Sequence, residues 1–321
     1  MSQRHSHTYK LTGQQQEVLA DLLRTGNYRL ISVPQATIAA QGPDCRISLY
    51  RSGKCLIQGK GSEDFVLFVL EPLVLREARL GYEDALNPEA RAPHMGIDES
   101  GKGDFFGPLV IAGAYVDGEL VPKFRELDVK DSKAITSEKK LLRIAAELRR
   151  LLGRRFDIVQ IGPTAYNRLY AKMRNLNRLL SWGHARSIEN LLERVPDCPR
   201  AVSDQFGNKS QVTAALMQKG RKITLEQRPR AESDIAVAAA SILARAAFLG
   251  ALKKMEEAYG LAFPKGASQA VQDTARKLVS KHGPTVLRKT AKCHFKTART
   301  VLEQLKLDPA VLGLESVPEP G

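Results

Sequence analysis

Apolar residues recur at two spacings along this chain, and the change between them divides it. Val18, Leu19, Leu22 and Leu23 fall on one helical face with Gly26 placed to stop it, so the first 25 residues predict a short amphipathic helix. Extended runs follow at Arg29–Val33, Cys45–Arg51, Lys54–Gln58 and Phe65–Leu70, and Ser52-Gly53 between two of them is a hairpin signal. Together they predict a small α+β unit. Residues 80–94 are polar with two prolines and read as a linker.

Beyond the linker, strands alternate with helices. Met95–Asp98, Leu109–Val116, Phe156–Ile161, Ala201–Ser203 and Lys222–Glu226 predict strands. Residues 137–152 predict a helix, with Leu141, Ala145, Leu148 and Leu152 on one face and Gly153 at its end. Further helices are expected from about Thr164 to Arg194, over the alanine-rich Ile235–Glu257, and from about Ser268 to Lys281. The alternation predicts an α/β domain with a central sheet covered on both faces. The boundaries expected are a first domain over 1–80, a linker over 81–94, a second domain over 95–305 and a loose tail over 306–321. No apolar run approaches the ~18 residues of a membrane helix, and the polar start leads into no secretory h-region.

Charge adds a partner class. Lysine and arginine total 49 against 35 acids, a net charge of +14. Residues 1–88 hold 10 basic and 9 acidic residues, so nearly all of the excess lies in the second part. A balance of this size points to a polyanion, usually nucleic acid. The four cysteines, Cys45, Cys55, Cys198 and Cys293, are far apart without metal spacing. They read as reduced thiols of a cytoplasmic protein.

Gly96-Ile97-Asp98-Glu99-Ser100-Gly101-Lys102-Gly103 is the most informative stretch. It nearly matches a phosphate-binding P-loop. That reading fails because Gly103 stands where the magnesium-binding hydroxyl belongs, and because Asp98 and Glu99 would put two negative charges in a phosphate cradle. A different chemistry fits. Adjacent carboxylates ending a strand leave on opposite faces and are hard oxygen ligands suited to Mg²⁺ or Mn²⁺. The Gly-Lys-Gly turn offers bare backbone N–H groups and one cation to a phosphodiester backbone. Metal-binding acids beside such a turn suit phosphodiester hydrolysis. Asp204 ends another apolar strand, where a site carboxylate and a plain turn aspartate are equally compatible with the sequence. Glu232 and Asp234 precede the long alanine-rich helix, where acids also complement the helix dipole.

At these residues the chain resembles the type 2 ribonucleases H. Met95–Val110 is similar to their first motif and Ala231–Arg245 to their last acidic motif and following helix. Gly-Lys-Gly at 101–103, Ser203–Lys209, Phe263–Ser268 and Ala291–Ala298 resemble the ribonuclease HIII branch. Ser48–Gly61 is similar to the TATA-binding-protein-like domain that precedes the catalytic domain there. The resemblance implies a ribonuclease H-like mixed sheet flanked by helices, and an endonuclease that cuts the RNA strand of RNA/DNA hybrids to 3′-hydroxyl and 5′-phosphate ends. It implies two Mg²⁺ or Mn²⁺ ions held by Asp98, Glu99, Asp204 and a fourth acid. Glu232 matches the family context for that acid and Asp234 competes, because the segment after Glu232 is about one residue short of the family pattern.

By the same resemblance, Gly101, Lys102 and Gly103 contact the strand near the scissile phosphate, and their backbone groups are candidates to read the 2′-hydroxyl. The N-terminal unit binds the hybrid, with Arg46, Tyr50, Lys54 and Gln58 as candidate contacts. A monomer with no protein partner and no membrane association is expected. His94, His294, Trp182 and Tyr166 are read as structural, and Phe105-Phe106 as a core anchor for the turn. The alternatives are cleavage at single ribonucleotides in DNA as by ribonuclease HII, a junction resolvase on the same fold, and a non-catalytic hybrid-binding protein.

Overall fold

The computed structural model describes residues 6–77, 91–204, 212, 214–216, 219–228 and 231–313. It divides into two compact units, Met1–Ala90 and Arg91–Gly321. The expected linker up to Ala90, the turn from Gln205 and the tail from Leu314 lie outside the described residues.

Unit 1 opens with strand β1 (Ser6–Lys10) and helix α1 (Gly13–Thr25). Thr12 caps the helix in a reciprocal box: Gln15 N–H donates to its hydroxyl at 3.4 Å, and Thr12 N–H donates to Gln15 Oε1 at 3.0 Å. Strands β2 (Arg29–Ile31), β3 (Ala36–Gly42), β4 (Cys45–Tyr50) and β5 (Lys54–Gln58) complete an antiparallel sheet ordered β1-β5-β4-β3-β2. Cys45, Ile47, Leu49, Cys55 and Ile57 face a core shared with Leu19 and Leu23 of α1.

Three expectations are corrected here. A strand, Ser6–Lys10, precedes the helix. Strand β3, Ala36–Gly42, lies where no strand was expected. Phe65–Leu70 is helical: α2 (Ser62–Phe65) runs on into wide π-type turns over Val66–Leu75. A continuous apolar run fits a buried strand and a buried helix equally, and periodicity alone does not separate them.

Unit 2 carries β6 (His94–Ser100), β7 (Leu109–Val116), β8 (Phe156–Ile161), β9 (Arg200–Asp204) and β10 (Thr224–Arg228). Their order is β10-β9-β6-β7-β8, with β7 antiparallel to β6 and β8, and β9 parallel to β6 and β10. Helices α3 (Leu120–Glu126), α4 (Glu138–Leu152), α5 (Pro163–Met173), α6 (Leu176–Leu192) and α7 (Ile235–Tyr259) surround this sheet. The C-terminal part adds α8 (Gln269–His282), α9 (Leu287–Thr290) and α10 (Lys296–Gln304). Of these, α3, α9 and α10 were not anticipated.

Alternation on the strands sorts two cores. Val110, Ala112 and Ala114 pack with Ala239, Ala240 and Leu243 of α7 on one face. Ile97, Leu109 and Ile111 pack with Leu180, Ile188 and Leu191 of α6 on the other. Helix α7 is long and apolar enough by composition to cross a membrane, but most of it is buried inside this unit. Its start lies hard against β6. A Cβ at Gly96 would sit 2.1 Å from both Ala236 C and Val237 N, so only glycine admits this approach.

Candidate active site

Two strand ends build the site. In the parallel pair β6–β9, Met95, Gly96 and Ile97 stand opposite Ala201, Val202 and Ser203. Continuing that register sets Asp98 beside Asp204 on neighbouring strands, about 5 Å apart in backbone spacing and on one face. It is the α7 face, because Gly96 meets α7 and Asp98 is two residues on. Glu99 takes the opposite face, as its adjacency to Asp98 required.

The environments of this pair differ. Glu99 Oε2 accepts a 3.0 Å hydrogen bond from His184 Nε2 on α6, and Glu99 Oε1 lies 3.5 Å from Lys102 Nζ. Burial pushes the Glu99 carboxyl up, but His184 and Lys102 outweigh it and hold the group below its ordinary value. Asp98 Oδ1 accepts a 2.8 Å bond from Glu99 N–H. Burial first, and the neighbouring Glu99 charge second, push Asp98 up to about 8. Lys133 opposes that rise and Asp131 adds to it.

His184, Asp131 and Lys133 were not singled out from the sequence. A histidine on the buried face of an apolar helix was the available signal for the first. For the other two no local signal exists. Their loop is brought back by α7, through Ser132 N–H to Ser241 Oγ at 2.9 Å and a bond from Arg245 Nη1 to Ser132 O.

The competing acids before α7 separate by what they touch. Asp234 is the N-cap of α7, its Oδ1 accepting from Ala236 N–H at 2.9 Å and Val237 N–H at 3.3 Å. The same oxygen meets His94 Nε2 at 3.1 Å, and Oδ2 meets Arg228 at 3.0 Å. Burial opposes ionisation of Asp234, yet His94 and the two amides hold its carboxyl below the ordinary range. Glu232 lies in a one-turn 3₁₀ segment, Ala231–Ser233, and Ala231 N–H reaches Asp204 Oδ1 at 3.5 Å. That contact ties the Glu232 segment to the end of β9.

The Gly-Lys-Gly turn follows β6 directly. Gly101 has φ +88°, and a Cβ there would meet Pro108 O at 2.3 Å, so the turn requires glycine at this point. Lys102 has two-fifths of its side chain exposed, and the Cα of Gly103 faces open space. Phe105 and Phe106 are buried beneath, as expected of a core anchor. His94 and Tyr166 are fully buried, and His294 stacks on Tyr170 with ring centroids 4.3 Å apart.

Among the described residues, no three carboxylate, imidazole or thiol groups close on a single point as they stand. The donor set nonetheless fits a divalent cation. Every candidate ligand offers carboxylate oxygen, the donor hard cations prefer. The half-buried Asp98 carboxyl, raised first by desolvation and then by its neighbour's charge, is the group an added cation would relieve.

In unit 1, Arg46, Tyr50, Lys54 and Gln58 share the sheet face opposite the core, by the alternation of β4 and β5. Arg46 pairs in register with Gln58 and donates to its Oε1 at 3.4 Å. The structure thus gathers the candidate residues in two groups, one in each unit.

A five-stranded mixed sheet sandwiched by helices, with acids collected where β6 and β9 end together, defines a ribonuclease H-like nuclease. Comparison with known proteins narrows the class. The family model described as Ribonuclease HII matches residues 95–298. Ribonuclease HIII of Protochlamydia amoebophila (strain UWE25) is 41% identical over 288 residues, covering 89% of this chain and 93% of that one. Ribonuclease HIII of Chlamydia pneumoniae is 42% identical over 290 residues, covering 89% and 95%. Among solved structures, Bst-RNase HIII in complex with Mn²⁺ superposes with a TM-score of 0.65 at 27% identity, covering 94% of this chain and 99% of that one. Aquifex aeolicus RNase H3 superposes with a TM-score of 0.52 at 29% identity, covering 90% and 99%. The chain belongs to the ribonuclease HIII family and is a ribonuclease H, a metal-dependent endonuclease.

Proposed function

We propose that this enzyme hydrolyses the RNA strand of RNA/DNA hybrids with two Mg²⁺ or Mn²⁺ ions held by Asp98, Glu99, Asp204 and Glu232. The observation that carries the reading is the β6–β9 register, which sets Asp98 beside Asp204. Ala231 N–H on Asp204 then brings the Glu232 segment to the same strand end. Asp234 is given a different task. Its two oxygens already serve two amides, His94 and Arg228, so it fixes the start of α7.

Divalent ions bound at such carboxylates lower the pKa of an attacking water and stabilise the leaving 3′ oxygen. The protein's own groups do the rest. His184 holds the Glu99 carboxylate in one orientation by its hydrogen bond. Lys102 and the bare backbone of Gly101 and Gly103 meet the cut strand beside the site, and their peptide groups are suited to sense a 2′-hydroxyl. Lys133, whose charge favours the ionised Asp98 carboxyl, is a further cation close to the acids. Products ending in 3′-hydroxyl and 5′-phosphate follow from water attack at phosphorus with departure of the 3′ oxygen.

In unit 1 the face bearing Arg46, Tyr50, Lys54 and Gln58 is the surface we assign to hybrid binding, since a flat sheet face suits the shallow minor groove of an A-like duplex. Four buried free thiols suit the reducing cytoplasm. The test of the ligand set is binding of Mn²⁺ followed by calorimetry in the full chain, where Glu232→Gln should weaken metal binding and Asp234→Asn should leave it nearly unchanged. The reverse order would exchange the two roles.

A further inference from the structure

Lys292 lies wholly inside unit 2. Its Nζ donates to the carbonyl oxygens of Asp104 at 2.8 Å, Gly107 at 2.9 Å and Phe106 at 3.4 Å. The ring centroids of Tyr166 and Phe248 lie 5.8 and 6.0 Å from it. An amine offers two N–H donors and an ammonium three, so three carbonyls and two ring faces select the cation. Burial lowers this group to about 7, with the Asp104 charge opposing. A buried ammonium is costly, and a methionine would fill the same space, so packing does not account for the charge.

What the ammonium holds does account for it. Residues 104–107 continue the Gly101–Gly103 turn without interruption, and Asp104 N–H donates back to Gly101 O at 3.3 Å. Their remaining backbone bonds reach two distant segments. Phe105 N–H donates to Gly266 O at 2.9 Å, Gly107 N–H to Thr290 O at 2.9 Å, and Lys292 N–H to Phe105 O at 2.8 Å. Asp104 Oδ1 also accepts from Gly266 N–H at 2.6 Å. The carbonyls that this network leaves over, of Asp104, Phe106 and Gly107, are the ones that Lys292 takes.

We propose that Lys292 is a positioning residue for substrate binding: its core ammonium locks residues 104–107 and so fixes the Gly101–Gly103 turn where the hybrid's backbone meets it. The proposal rests on the reading of that turn as a backbone contact, and its test separates the two.

The full chain is compared as wild type, Lys292→Met, Lys292→Arg and Lys102→Ala. Hydrogen exchange is followed over residues 101–108 and over β7, and kcat and KM are measured on a hybrid at saturating Mg²⁺. Lys292→Met should speed exchange at 101–108 by about 10-fold or more while β7 keeps its protection. It should raise KM by about 5-fold or more with kcat within about 2-fold. Lys292→Arg, which keeps the charge and the donors, should return both readouts toward wild type. Lys102→Ala should raise KM without altering exchange at 104–107.

Unchanged exchange at 101–108 in Lys292→Met would overturn the role of Lys292. Faster exchange with an unchanged KM would instead overturn the part of the turn in binding. If Lys292→Met does not fold, Lys292→Gln takes its place. Failure of both to fold would assign Lys292 to stability alone and overturn the proposal.

Discussion

Asp98 and Glu99 are adjacent and half-buried alike, yet their carboxyls move in opposite directions. The cause is the face each takes. Glu99 turns to α6 and finds His184, whereas Asp98 turns to the α7 face, where the near charges are the opposed pair Asp131 and Lys133. The same logic of partners divides Glu232 from Asp234. We expect Glu232→Gln to lower cleavage by about 100-fold or more with an unchanged melting temperature. Asp234→Asn should act the other way: asparagine still caps the helix, so a cost of about 1.5–3 kcal/mol comes from the weakened charge-assisted bonds to His94 and Arg228, read by denaturant unfolding. The sign of its pH dependence follows from the depressed carboxyl. An acid of this kind stabilises the fold above its unfolded pKa, and that stability fades as pH falls through the folded value. Asp234→Asn should therefore flatten the loss of stability below about pH 4. A steeper acid limb in the variant would contradict the ion pair with His94.

At the scale of elements, one close approach carries much of the site. Gly96 lets α7 rest on β6, and the segment just before α7 reaches the end of β9 through Ala231 N–H on Asp204. Gly96→Ala forces a Cβ into peptide atoms, so a loss of about 3 kcal/mol with reduced activity is expected, measured by unfolding and cleavage together. Retention of wild-type stability would mean that the helix moves away freely. Elements were legible where one face is apolar and the ends are punctuated. Strands β7 and β8 coincide with the expected spans, and α4 runs from its Ser137 cap to Gly153. Phe65–Leu70 was misread because an apolar run without polar alternation has no period to read. Strand β1 was missed because five polar-looking residues, Ser6 to Lys10, bury only His7 deeply. The site was legible as acids at strand ends. Its supports were not, because His184, Lys133 and Lys292 act on residues distant in sequence, 85 positions away for His184 and 188 for Lys292.

For the molecule as a whole, charge and division into units set the behaviour with substrate. Nearly all of the +14 belongs to the second part of the sequence. Neutralised phosphates release counterions, so hybrid affinity should fall with a log–log salt slope of about −0.7 to −0.9 per contact. The nearly neutral unit 1 offers a sheet face rather than a charged clamp. Removing residues 1–85 should raise KM more than it lowers kcat, while changing the salt slope little. An unchanged affinity after the deletion would remove unit 1 from substrate binding.

The central claim is that acids gathered where β6 and β9 end cut RNA in a hybrid with divalent metal. The most direct measurement is cleavage of a strand-labelled RNA/DNA hybrid with Mg²⁺, with Mn²⁺ and with EDTA, beside duplex RNA, duplex DNA bearing one ribonucleotide, and an Asp98→Asn control. We expect metal-dependent cutting of the RNA strand to 3′-hydroxyl and 5′-phosphate ends, weak cutting at the single ribonucleotide, and loss of about 1,000-fold or more in the variant. Tight hybrid binding without cutting, or cutting that survives Asp98→Asn, would contradict it.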